Sequence, residues 1–163
     1  MVPSDLSIKL VELELAGAAS WLARREAKAN FDHSSLVVDV HLRHPVTGKA
    51  FWLIGDMAGY KAVPPAWTFA DPSTRAPSRS SWPRGVAFPD GKASIFMVHR
   101  DTMTICAPFN RLAYAEANGP HGDWGSATCW LQASGADHTV ATTLGDMLAV
   151  IELHLAQTTE LAA

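Results

Sequence analysis

Side chains able to do covalent chemistry are few in this 163-residue chain: two cysteines and seven histidines, with 16 carboxylates spread along it. Cys106 stands in the stretch SIFMVHRDTMTICAPFN, residues 94–110. An apolar run (Ile95, Phe96, Met97, Val98) and a polar step (His99, Arg100, Asp101) precede a β-prone run, Met103-Thr104-Ile105, and Ala107-Pro108 breaks the chain after the thiol. The pattern predicts a short strand that delivers Cys106 to a loop, where a partner can reach it. A thiolate is a strong nucleophile and a good leaving group, so carriage of an acyl group is the chemistry it suits. A packed structural cysteine is the alternative, because free cysteine is among the most buried residue types.

The chemistry also needs helpers. Asn110, four residues after the thiol, is a candidate donor to the oxyanion formed when an amine attacks a thioester, or else a loop cap. His121 and Asp123 are candidates to orient or deprotonate that amine; a surface turn around Gly122 is the alternative. His99 is a candidate to hold the loop by a hydrogen bond, or a plain exposed strand-end residue. Cys129, between Thr128 and Trp130, is the competing thiol and is expected to be packed. A Cys-His hydrolase, or a zinc site built from Cys106, His99, His121 and Cys129, is a rival of a different class. With no Cys-x-x-Cys and no His-x-x-x-His, the spacing is poor for zinc, so neither a metal nor a cofactor is expected.

The composition bounds the partners. A formal charge of −3, with no basic run longer than Arg24-Arg25, gives no footprint for nucleic acid. No apolar run approaches the ~20 residues of a membrane span. The N-terminal MVPSDLSIK lacks the basic and apolar regions of a signal peptide, and two cysteines without framework spacing suit a reducing cytoplasm.

The elements that must position these residues are readable as one α+β domain over 1–163. Leu6, Leu10, Leu13 and Trp21, beside a stripe of Val11, Leu15, Ala18 and Leu22, predict an amphipathic helix over 5–28. Sheet and loops are expected over 35–105. Ser35–Leu42 and Ala50–Ile54 are the arms of a hairpin whose turn, flanked by His41 and His44, is supplied by Pro45 and Gly48. Both histidines are expected to face solvent or an edge. Trp67 and Phe69 alternate like the start of a strand after Pro64-Pro65. Residues 70–92 are Pro-, Ser- and Arg-rich and predict a long surface loop tacked down by Trp82 and Phe88. Trp124 and Trp130 are expected as further anchors. Residues 106–139 form a loop region with a helical turn over 110–118, and 140–157 a second helix capped by Thr142 or Thr143.

Taken in order, these features resemble a ubiquitin-conjugating enzyme domain. The order is a helix, an antiparallel meander, a proline motif, a Cys in a long loop region, and a helix. Tyr60, Pro64, Pro65 and Phe69 match the family's Tyr-Pro-x-x-Pro-Pro-x-x-x-Phe spacing, with Lys61 in place of the first Pro. Thr104-Ile105-Cys106 is similar to the family's Ile-Cys-Leu, and Thr143–Ile151 to the helix that follows its active site. The resemblance spans roughly residues 5–155. It implies a ubiquitin-like modifier, an activating-type enzyme and a protein target as partners, with thioester transfer through Cys106. The family's His-Pro-Asn motif is absent, its nearest counterpart being His99-Arg100-Asp101, and the two last helices of the family are expected to be truncated. Such departures are similar to those of divergent bacterial members encoded in conjugation operons, some of which act in antiphage defence. A non-catalytic adaptor of the same fold is the alternative.

Overall fold

The computed structural model describes residues 4–84, 91, 93–119, 121–134 and 139–158. It is an α+β structure: an N-terminal helix, a four-stranded antiparallel sheet whose strands neighbour one another in chain order, and a C-terminal helix. The hairpin arms are β2 (Val37–Arg43) and β3 (Ala50–Asp56), paired from Val37↔Asp56 to Arg43↔Ala50. Along β3, Phe51 and Leu53 face the core, as a period of two requires. β4 (Ala66–Phe69) pairs with β3 and buries Trp67 and Phe69. Gly55 lies opposite Trp67, whose ring covers it: a Cβ there would stand 2.4 Å from the indole. Glycine at that position makes room for the largest side chain of the core.

The first helix, α1 (Ser4–Arg24), ends earlier than the expected residue 28. Glu26 takes a left-handed φ of 52°, and β1 (Lys28–Asp32) then pairs with β2. β1 alternates polar and apolar residues, but with only Ala29 and Phe31 as apolar positions over five residues it is too short to stand apart from the helical pattern before it. The buried face of α1 also differs from the first stripe. Val11, Ala18 and Leu22 are buried, whereas Leu6 and Leu13 are 49% and 69% exposed. The helix is turned so that Glu14 points inward. Its carboxylate accepts hydrogen bonds from Tyr60 Oη and from the Leu144 N–H (2.8 Å), and pairs with Lys61 Nζ at 2.7 Å. Glu14 thereby ties α1 to the proline motif and to the start of the last helix.

That last helix, α3 (Leu144–Ala156), begins four residues after the expected 140, with Thr143 as the cap that accepts from the Asp146 N–H. Leu144, Met147, Leu148, Ile151 and Leu155 are buried. Trp67 Nε1 points at Met147 Sδ, 3.4 Å away, so α3 lies over the sheet. His44 corrects the expectation of a solvent-facing residue. It is 2% exposed, its Nδ1 accepts from the Val46 and Thr47 N–H groups, and its Nε2 meets Thr158. The ring organises the hairpin loop from within. His41 is exposed, as expected. Trp82 anchors the long loop by donating to the Phe96 carbonyl; Phe88 lies outside the described residues. No helix among the described residues is long and apolar enough to cross a membrane.

Candidate active site

The proline motif forms the wall against which the thiol loop is built. Tyr60, Pro64, Pro65 and Phe69 are all buried. Lys61 has φ +76°, a value that the pyrrolidine ring, held near −65°, cannot reach. Lysine where the family pattern has proline therefore follows from the backbone path. The ammonium does further work by pairing with Glu14.

Cys106 does not end a strand. Residues 95–98 form turns, and Met103 has φ 56°, which interrupts a ladder. A tight turn is present instead. The Thr104 N–H donates to the His99 carbonyl at 3.1 Å, closing the isolated bridge His99↔Thr104. Thr104 and Ile105 of the β-prone run are nearly inaccessible, but among the described residues the run pairs through the one bridge at Thr104. The Cys106 N–H donates to the Ile95 carbonyl at 2.8 Å, and the Ile95 N–H is in turn accepted by His154 Nδ1 of α3. Buried Ile95 and His154 thus hang the thiol segment from the core.

Downstream, Asn110 caps the short helix α2 (Arg111–Glu116). It is fully buried, and its amide is spent on the backbone. Oδ1 accepts from the Trp67 N–H (2.9 Å) and the Leu112 N–H, while Nδ2 donates to the Trp67 and Ile105 carbonyls at 3.2 and 2.9 Å. Both amide protons have protein partners. Of the two readings of Asn110, the loop cap is the one seen in the structure, and the side chain also serves as a strut that closes the edge of β4. Arg111 completes the joint, donating to the Ala58 carbonyl and pairing with Asp56.

His121 comes from a third segment. It precedes the 3₁₀ turn Gly122–Trp124, and its N–H donates to the Gly125 carbonyl at 2.8 Å. Gly122 and Gly125 have φ of 37° and 70°, which lets the loop double back. The imidazole then stacks on the Trp124 indole, with centroids 3.6 Å apart and planes 9° from parallel. Tyr114 of α2 meets both rings edge-on. Trp124 is partly buried, and the stack covers one face of its indole.

The turn, the loop and the stack converge. One ring nitrogen each of His99 and His121 and the sulfur of Cys106 lie within 4.8 Å of one another, all three residues partly buried. Asp123 is exposed and outside this group. Cys129 corrects another expectation, being exposed rather than packed, in the 3₁₀ segment Ala127–Gln132; both cysteines are free. Trp130 anchors that segment, 1% exposed and donating to the Lys61 carbonyl.

Burial separates the two thiols. It pushes Cys106 up to about 11, whereas hydrogen bonds from the Ser126 and Thr128 side chains hold Cys129 below its ordinary value. A rise of that size leaves roughly a hundredfold less thiolate at neutral pH. Iodoacetamide at neutral pH, applied to chelator-treated protein, is therefore expected to label Cys129 well before Cys106. Peptide mass spectrometry over time checks this order, and equal rates would contradict it.

Ile95, His154, Tyr114 and the supporting role of Trp124 escape reading from the chain. His154 had a signal, lying among Ile151, Met147 and Leu155 on the apolar stripe of α3 where a buried polar residue needs a partner. The other contacts lie within irregular turns and loops and leave no periodic trace. No family model, no curated protein and no solved structure matches this chain.

Proposed function

We propose that the chain is a conjugating enzyme of the ubiquitin type, carrying a ubiquitin-like modifier as a thioester on Cys106. The single observation that carries the reading is the convergence of the Cys106 sulfur with the His99 and His121 imidazoles at a partly exposed site. Support comes from the frame around it. An N-terminal helix, an antiparallel meander with the buried proline motif leading into its fourth strand, a thiol loop and a helix agree with the coarse order that the resemblance implies.

The steps balance without an oxidant or a metal. Cys106 sulfur attacks the carbonyl carbon of a thioester held by an activating-type enzyme; its proton passes to an imidazole and then to the departing thiolate. An amine of the protein target next attacks the same carbon. The amide bond forms, the C–S bond breaks, and the amine proton returns through the imidazole to Cys106. With Asn110 committed elsewhere, the histidines take over the placement of charge and protons. Antiphage defence is the setting that the resemblance suggests for this activity.

The test mixes the chain with a cognate activating enzyme, its modifier and ATP. A reducible adduct is expected, lost in Cys106→Ala and kept in Cys129→Ala. An adduct that survives Cys106→Ala sinks the proposal; a fold that binds the modifier with no adduct at all is the adaptor reading. The closeness of thiol and imidazole also favours a second reading, a Cys-His hydrolase, in which water replaces the amine. Turnover of simple thioesters without the activating enzyme distinguishes it.

A further inference from the structure

We propose that His99, Cys106 and His121 form a binding site for a soft divalent transition-metal ion, Zn²⁺ foremost, and that the bound ion caps the thiol. Three donors of the right chemistry meet here, two from the turn over 99–106 and one from the loop at His121. A tetrahedral Zn²⁺ site, with bonds of about 2.3 Å to sulfur and 2.0–2.1 Å to nitrogen, places such donors roughly 3.3–3.6 Å apart. The observed 4.8 Å envelope closes to that spacing by side-chain adjustments of about an ångström. His121 is held ready by its stack on Trp124, and His99 by the turn that ties it to Thr104.

The donor set selects the ion. One thiolate and two imidazoles suit Zn²⁺ and its softer neighbours, and among the described residues no carboxylate joins the group, which disfavours Mg²⁺ and Ca²⁺. Three protein ligands leave a fourth position for water, and partial exposure gives the ion a way in. Coordination replaces the thiol proton, which leaves to solvent; no oxidation state changes. The chain spacing disguised the site: His99 and Cys106 are seven positions apart and Cys106 and His121 fifteen, and the fold alone gathers them.

A consequence rests on the conjugating reading of the same site. The sulfur lone pair that binds metal is the one that attacks a thioester, so the two states exclude each other. Metal-loaded protein is held uncharged until a chelator or a competing thiol removes the ion.

The experiment is metal titration of the chelator-treated full chain, which needs no activating enzyme. Co²⁺ is the spectroscopic probe. One equivalent is expected to give a thiolate-to-cobalt charge-transfer band with intense tetrahedral d–d absorption, displaced by Zn²⁺. Cys106→Ser is expected to abolish the charge-transfer band and Cys129→Ser to leave it. His99→Gln and His121→Phe are expected to weaken binding by at least roughly tenfold each, and His121→Phe keeps the ring on Trp124 so that the loop stays in place. Circular dichroism confirms that each variant is folded. No band at millimolar Co²⁺, or a band lost in Cys129→Ser and kept in Cys106→Ser, overturns the site. Thioester formation blocked by Zn²⁺ and restored by chelator supports the cap. A cobalt band in a protein that never charges keeps the metal site and removes only the conjugating reading.

Discussion

His121→Ala is expected to slow discharge of the Cys106 thioester to an amine by roughly 10²–10⁴-fold, the usual worth of a positioned acid–base group. The argument rests on how firmly the ring is held. Imidazole and indole stack at 3.6 Å, Tyr114 closes the side, and backbone bonds of the 122–125 turn fix the residue behind them. A ring so restrained has already lost the freedom that a proton transfer would otherwise have to remove. His121→Phe sharpens the test because it retains the stack and removes both nitrogens. Single-turnover discharge should fall as far in this variant as in His121→Ala, and added imidazole should restore part of the rate. His99→Gln reports on the second ring in the same way. Unchanged discharge in both variants would leave histidine no part in the proton transfers.

Asn110→Ala is expected to cost about 3 kcal/mol or more of folding stability, since several buried backbone groups would lose their partner at about 1–3 kcal/mol each. The side chain meets the N–H and the C=O of Trp67 together, as a neighbouring strand would, at the open edge of β4. It also receives the first turn of α2 and donates to Ile105, the residue before the thiol. For a chain of this length, about 3 kcal/mol corresponds to a fall of roughly 6–12 °C in Tm. Asn110→Asp should also destabilise, because it keeps the acceptor, loses both donors and buries a charge. Thermal denaturation decides the matter. A variant as stable as the parent but slow to discharge would return Asn110 to the oxyanion role.

Much of the frame was legible in the chain. Ser35–Leu42 and Ala50–Ile54 read as hairpin arms joined by a Pro- and Gly-bearing turn, and the strands Val37–Arg43 and Ala50–Asp56 lie there with ends within two residues of those bounds. Leu144, Met147, Leu148, Ile151 and Leu155 recur at helical spacing behind a Thr cap, and α3 is there. Edges and rotations were less legible. β1 offers only Ala29 and Phe31 as apolar positions and does not stand out along the chain, and α1 buries the face containing Glu14, whose carboxylate meets three donors there.

Cys106 was identifiable by residue type and by the proline after it, without knowledge of the fold. Its surroundings were not. The local propensity of Met103-Thr104-Ile105 argued for a strand, but a strand exists only where another pairs with it, and among the described residues a single bridge to His99 is present. That same bridge brings His99 back beside the sulfur, and the stack on Trp124 brings His121 from the other side. Sequence by itself determined which side chains could act as nucleophile, base or ligand, since that is a property of each residue. Only the tertiary structure decided which of them act together. Proximity among residues 99, 106 and 121 is created by backbone turns and ring packing, and neither has a period that can be read along the chain.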